Sequence, residues 1–250
     1  MAQLNGVQPP PVVPIVALDV PDQAGAAALV VRLGAACDFY KVGLELYSAE
    51  GPAVVAWLRD QGKSVFVDLK LHDIPNTVRG AARAVARHGA SLLTVHASGG
   101  TDMVRAAVEG AAEGADQSGT QGGCGILGVT ILTSLDGAAV GRAWGRPPVD
   151  VEAEVVRLAG VVAEGDGAGI VCSGHEAAAV RRRFADRLGL LVPGIRLPGG
   201  AVHDQRRVMT PGEAAAAGAR WLILGRAVTG APDPVAAMAA VRASVLASAT

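Results

Sequence analysis

Five charged residues in the first third of the chain stand at or just past the ends of short apolar runs: Asp19, Lys41, Asp68, Lys70 and Asp73. Their contexts are Ala17-Leu18-Asp19-Val20, Phe39-Tyr40-Lys41-Val42-Gly43 and Asp68-Leu69-Lys70-Leu71-His72-Asp73. In an extended segment side chains alternate faces, so Val65, Val67, Leu69 and Leu71 share one side and Phe66, Asp68 and Lys70 the other. A charge on an inward face is costly unless it is paired. Asp68 and Lys70 could simply satisfy each other, but the recurrence of such charges at two earlier run ends points to a network. Alternating carboxylates and ammonium groups hold one another ionised. A lysine ringed by carboxylates stays protonated and can serve as an acid. Asp73 lies in the turn before Pro75, and spacing alone does not fix its reach.

A second group of residues suits an oxyanion. Val192-Pro193-Gly194-Ile195-Arg196 and Leu224-Gly225-Arg226 follow the last two apolar runs. Glycine lets backbone N–H groups approach an anion closely. Arg226 adds a planar, permanently charged donor fork that matches phosphate. A Gly-Arg pair is ordinary by itself; its place after the eighth run gives it meaning, because phosphate sites of α/β barrels form there.

The elements that must position these residues alternate along the chain. Eight β-rich runs, at 14–19, 38–42, 64–70, 92–96, 125–131, 169–172, 189–192 and 221–224, are each followed by an Ala-rich amphipathic stretch. Those stretches lie at 22–35, 49–61, 77–88, 101–115, 151–164, 175–186, 211–217 and 234–247. Strand–helix alternation implies a parallel sheet, and eight units in 250 residues imply a single closed (β/α)8 barrel. A doubly wound open sheet is the competing architecture, but no GxGxxG follows the first run. Asn76 or Thr77 is expected to cap the helix after the third run, and Gly89 to end it. The segments 132–150 and 194–209 are longer than a barrel needs and read as ligand loops or tolerated insertions. The expectation is one domain over 1–250, with 1–13 as an irregular lead-in.

Composition narrows the function classes. A formal net charge of −1 and the absence of a basic patch argue against nucleic acid or a membrane surface as partner. The run Arg181-Arg182-Arg183 reads as a solvated helix face. Three widely spaced cysteines without CxxC argue against a disulfide framework or zinc site, and His72, His175 and His203 show no metal-ligand pattern. No stretch resembles a signal peptide or a membrane span, so a soluble, cytoplasmic protein is expected.

The ten residues Asp68-Leu69-Lys70-Leu71-His72-Asp73-Ile74-Pro75-Asn76-Thr77 resemble the signature of the orotidine 5′-phosphate decarboxylases. Supporting matches run from Ala17-Leu18-Asp19 to Leu224-Gly225-Arg226. The resemblance implies cofactor-independent decarboxylation of orotidine 5′-monophosphate to uridine 5′-monophosphate, the last step of pyrimidine nucleotide synthesis. It implies Lys70 as proton donor, with Asp68 and Asp73 holding it, and Asp19 and Lys41 at the ribose. Gly225 and Arg226 correspond to phosphate-site positions, and Arg196 and Gln205 to substrate contacts, Gln205 on a mobile loop. Thr133 matches a substrate-binding threonine, a role Ser134 could share. His96, in Val95-His96-Ala97-Ser98-Gly99-Gly100, reads as supporting structure, because the family's acid is a lysine. The resemblance also implies a homodimer in which Asp73, Ile74 and Thr77 serve the neighbouring site. Relatives sharing only DxKxxD are metal-dependent keto-sugar-phosphate decarboxylases and hexulose-phosphate synthases; His72 and Ile74-Pro75-Asn76-Thr77 argue against them. A barrel that binds a phosphorylated ligand without catalysis is the remaining alternative, and the intact charged set argues against it.

Overall fold

The computed structural model describes residues 11–119, 122–197 and 209–248. Eight parallel strands close on themselves in chain order: β1 (Val13–Leu18), β2 (Phe39–Gly43), β3 (Ser64–Leu71), β4 (Leu92–His96), β5 (Gly125–Val129), β6 (Gly169–Val171), β7 (Gly189–Val192) and β8 (Trp221–Leu224), with β8 hydrogen-bonded back to β1. Helices cover the outside: α1 (Gln23–Leu33), α2 (Leu44–Glu50), α3 (Ala53–Asp60), α4 (Pro75–Arg87), α5 (Thr101–Ser118), α6 (Gly137–Ala143), α7 (Val151–Glu164), α8 (Gly174–Phe184), α9 (Pro211–Ala216), α10 (Arg226–Thr229) and α11 (Pro234–Ala247). This is the (β/α)8 barrel that the alternation implied.

Strand parity sorts the core into two compartments. Ile15, Phe66, Leu92, Leu127, Leu191 and Trp221 pack together inside the barrel. Their neighbours along the strands, such as Val16, Tyr40, Val65, Val67 and Leu93, join the larger core with buried helix residues such as Leu29, Leu58, Val78 and Val104. The inner cluster plugs the barrel, so polar groups above it stand on an apolar floor.

Helix boundaries depart from expectation in four places. The stretch 49–61 holds α3 and only the last two residues of α2, which begins at Leu44; Gly51 at φ +65° and the following Pro52 separate the two. Helix α4 begins at Pro75, without a side-chain cap from Asn76 or Thr77. Proline carries no N–H to satisfy and has a helical φ, so it suits the first position of a helix. Helix α6 lies within the supposed loop 132–150, started by Asp136, whose side chain accepts from the Ala139 N–H. The short helix α10 follows β8 directly. Arg181, Arg182 and Arg183 occupy the last turn of α8, where Arg181 pairs with Asp186 at 2.6 Å.

Helices α4 and α5 approach closely enough to exclude a methyl group. A Cβ on Gly110 would lie 2.1 Å from the Arg79 carbonyl oxygen, and one on Gly114 would lie 2.2 Å from that of Arg83. Arg79–Glu109 (3.5 Å) and Arg83–Glu113 (3.2 Å) ion pairs flank the contact. At Gly160 in α7 the nearest atom to such a Cβ is 3.9 Å away, on the Phe184 ring. Helix propensity favours alanine over glycine by about 1 kcal/mol at either site. At Gly110 the obstacle is backbone, which cannot rotate away, and overpacking costs about 1–3 kcal/mol. Gly110→Ala should therefore lower Tm by roughly 3–6 °C, and Gly160→Ala should raise it by roughly 2 °C. Thermal denaturation followed by circular dichroism measures both, and a stabilised Gly110→Ala variant would contradict the close crossing.

Candidate active site

Four of the predicted site residues form a continuous row at the carboxyl ends of β1, β2 and β3. Lys41 Nζ lies 2.8 Å from Asp19 Oδ1 and 3.8 Å from Asp68 Oδ2, and Lys70 Nζ lies 3.0 Å from the same Asp68 oxygen. The side chains of Lys41 and Asp68 are only 10% and 15% exposed, so their charges have little water and depend on these partners. Asp19, at 62%, and Lys70, at 29%, bound the row on its open side. Gly43 makes room for the row: a Cβ there would sit 2.9 Å from Lys41 Nζ and 3.3 Å from Asp19 Oδ1.

The backbone delivers Lys70 differently from the regular alternation expected. The β3–β4 register shifts between Val67 and Leu71, and Lys70 adopts φ +52°, a left-handed conformation uncommon outside glycine. Asp68 and Lys70 do meet, but through this kink. Its N–H donates to Thr94 Oγ1 at 2.9 Å, and the Thr94 hydroxyl donates to Asp68 Oδ1 at 2.9 Å. Thr94 was not among the expected site residues, because it carries no ionisable group and sits in an otherwise apolar run. The available signal was parity: Thr94 precedes His96 by two on β4 and so shares its face.

His96 stands at the end of β4, its ring centroid 5.3 Å from that of His72. Burial pushes its pKa below the ordinary histidine value. The neighbouring His72 and Lys70 push the same way, and Asp68 opposes them. Asp73 is exposed and accepts a 2.7 Å hydrogen bond from the Ile74 N–H. Ile74 is 68% exposed, and Thr77 in the first turn of α4 is exposed as well. Among the described residues, no hydrogen bond or ion pair joins the side chains of Asp73 and Thr77 to the row.

The expected phosphate end lies on the same rim. Gly225 follows β8, with open space where a Cβ would be, and Arg226 opens α10. Because β8 pairs with β1, this end adjoins the strand that leads to Asp19. Thr133 is half-buried in the turn after β5, beside exposed Ser134. The Arg196 N–H donates to the Met209 carbonyl at 2.9 Å, and Ile195 and Met209 form a parallel bridge. Gln205 lies outside the described residues. Among the described residues, no group of three or more His, Cys, Asp or Glu side chains is arranged to hold a metal ion.

Residues 13–241 match the family described as Orotidine 5'-phosphate decarboxylase / HUMPS family. The chain belongs to this family. It is 50% identical over 232 residues to the orotidine 5'-phosphate decarboxylase of Anaeromyxobacter dehalogenans, covering 92% of this chain and 96% of the relative. The orotidine 5'-phosphate decarboxylase of Moorella thermoacetica is 46% identical over 231 residues, with 92% and 91% covered. The crystal structure of orotidine 5'-phosphate decarboxylase from Lactobacillus acidophilus superposes with a TM-score of 0.82 at 33% identity, over 95% of this chain and 99% of that one. Within the orotidine 5′-phosphate decarboxylase / HUMPS fold, the charged row therefore occupies the barrel face on which active sites are built.

The His96 environment gives a pH dependence of stability. Its folded pKa lies below the unfolded value near 6.5, so the unfolded chain takes up the proton first. Stability should fall as pH drops below 6.5, and level off once His96 itself protonates in the folded protein. That window lies above the one in which carboxylates titrate. The slope of Tm against pH between about 6.5 and 5.5 should flatten in a His96→Asn variant, and an unchanged slope would count against the half-buried neutral imidazole.

Proposed function

We propose that this protein decarboxylates orotidine 5′-monophosphate to uridine 5′-monophosphate without a cofactor, as the last step of pyrimidine nucleotide synthesis, with Lys70 as proton donor. The observation that carries the reading is the Asp19–Lys41–Asp68–Lys70 row, with contacts of 2.8, 3.8 and 3.0 Å, in a chain of this family. The bond from C6 of the pyrimidine to its carboxylate breaks and CO2 leaves. The electron pair stays on C6, where no ring carbonyl readily delocalises it. A preorganised cation beside that carbon stabilises the developing charge. The Lys70 ammonium supplies the cation and then transfers its proton to C6. Asp68, together with Asp73 from the neighbouring copy, holds Lys70 and disfavours the substrate carboxylate in the ground state.

Asp19 and Lys41 bind the ribose hydroxyls, Thr133 contacts the substrate, and Arg196, Gln205, Gly225 and Arg226 take the phosphate end. Binding energy from this remote phosphate holds the substrate against the preorganised reacting end. The barrel is a single catalytic domain over 1–250, and two copies form the working unit. In it, Asp73, Ile74 and Thr77 serve the neighbour's site. Their exposure in the isolated chain, and an isoleucine 68% exposed at the mouth of the barrel, support that arrangement. The reading makes the protein a cytoplasmic enzyme; among the described residues, no helix is long and apolar enough to cross a membrane.

Purified protein incubated with orotidine 5′-monophosphate and EDTA should consume the substrate, followed as loss of its ultraviolet absorbance, at the same rate as without chelator. Absence of turnover would overturn the proposal, and abolition by EDTA would favour the metal-dependent relatives. The shared site has its own test. Lys70→Ala and Asp73→Asn homodimers should each lose at least about 1,000-fold in kcat, since each removes a charge required in the transition state. Mixing the two variants should restore up to about one quarter of wild-type activity, because half the dimers are mixed and each of those has one intact site. Heterodimers that form without recovering activity would rule out the shared site.

A further inference from the structure

Thr94 is completely buried on the inward face of β4, two residues beyond Leu92 of the barrel plug. It is level with Asp68, which stands two residues beyond Phe66, and Phe66 and Leu92 are register partners. The hydroxyl group has one proton to give and two lone pairs to accept with. Its two partners dictate the direction of both bonds: the Lys70 N–H can only donate, and the ionised Asp68 carboxylate can only accept. With Oδ1 of Asp68 held by this proton, Oδ2 faces both ammonium groups, Lys70 at 3.0 Å and Lys41 at 3.8 Å. The same hydroxyl anchors the backbone where Lys70 departs from the strand with φ +52°. A left-handed non-glycine residue is strained and persists where its surroundings hold it.

We propose that Thr94 is a positioning residue for the decarboxylation: one hydroxyl both fixes which carboxylate oxygen of Asp68 meets the lysines and holds the kink that aims the Lys70 ammonium. This rests on the functional reading above. Replacing the hydroxyl with a methyl group of similar size would leave two inward-facing groups, the Lys70 N–H and Asp68 Oδ1, without that partner. Packing would be nearly unchanged, since valine and threonine are both β-branched. The ribose and phosphate contacts lie on other elements, so the loss should appear in turnover rather than in substrate binding.

Thr94→Val, Thr94→Ser and Thr94→Ala, each checked for a cooperative thermal transition, are compared with wild type by steady-state kinetics. Thr94→Val should lose about 10- to 100-fold in kcat with KM for orotidine 5′-monophosphate within about threefold. Thr94→Ser, which keeps the oxygen, should stay within about threefold of wild type in both. If the valine variant fails to fold, the serine and alanine pair, which differs by that one oxygen, decides the same question. A Thr94→Val enzyme with wild-type kcat, or a serine variant as impaired as the valine one, would overturn the proposal. A crystal structure of Thr94→Val gives a readout independent of turnover. Lys70 should leave the positive-φ region and its ammonium should move out of contact with Asp68. Unchanged Lys70 geometry would overturn the positioning role even if the wild-type protein proved inactive toward this substrate, an outcome that would overturn only the functional reading.

Discussion

The Asp68 carboxylate is the interaction around which the rest is arranged. It is mostly withdrawn from water, one oxygen is held by the Thr94 hydroxyl, and the other faces two ammonium groups. Two opposite charges about 4 Å apart attract by about 4 kcal/mol at an effective dielectric of 20, and desolvating them costs a comparable amount. A row of this kind therefore adds little net stability, and an apolar replacement of the same shape would serve the fold as well or better. What the row supplies is geometry. Its charges alternate along Asp19, Lys41, Asp68 and Lys70, so its formal sum is zero and each member constrains its neighbours. Removing any one leaves an uncompensated charge beside the apolar plug.

The barrel makes such a row possible through its layers. Each inward residue of the plug has a successor two positions on, one layer nearer the open end. Phe39 is followed by Lys41, Phe66 by Asp68, and Leu92 by Thr94 and then His96. The plug closes the space below, so the polar layer has no water on that side, and the strands that carry it are tied to both neighbours. Groups held on paired strands keep their positions more precisely than groups on loops. The exceptions are informative: Asp19 lies just past β1 and is the most exposed member of the row, and Lys70 lies in the one strand whose register slips.

Much of this was legible in the sequence, and the omissions have physical reasons. The eight strands announce themselves because a strand covered by helices on one side and packed into the barrel on the other is apolar on both faces. Inward placement of Asp68 followed from parity with Phe66. The Lys70 kink was not legible, because a left-handed lysine has no local signature; tertiary contacts with β4 impose it. Thr94 escaped notice because a threonine in Leu92-Leu93-Thr94-Val95-His96 reads as an ordinary β-former, and only the register between β3 and β4 sets it against Asp68. The α4 start was misplaced because Asn76 and Thr77 are good caps in isolation, whereas Pro75 already fixes the first helical turn. The break between α2 and α3 at Gly51-Pro52 was missed because their apolar residues continue in near-helical phase across it.

The rim divides into groups carried on strands and groups carried on connections. The charged row is embedded in the strands β2 and β3, with Thr94 of β4 behind it. The residues proposed for the phosphate sit instead on connections, Gly225 and Arg226 at the start of α10 and Arg196 beside the bridge of Ile195 to Met209. That bridge, together with Gly194 at φ +80° and the paired hydrogen bonds Arg196 to Met209 and Met209 to Gly194, ties the end of β7 to the start of α9. The arrangement suits a reaction in which the bond that breaks is far from the group that supplies most of the binding energy. The reacting end must be preorganised before substrate arrives, because a cation that had to reorient during the reaction would lose most of its advantage. In the proposed reaction the remote contacts contribute binding energy without moving the atoms that do the chemistry.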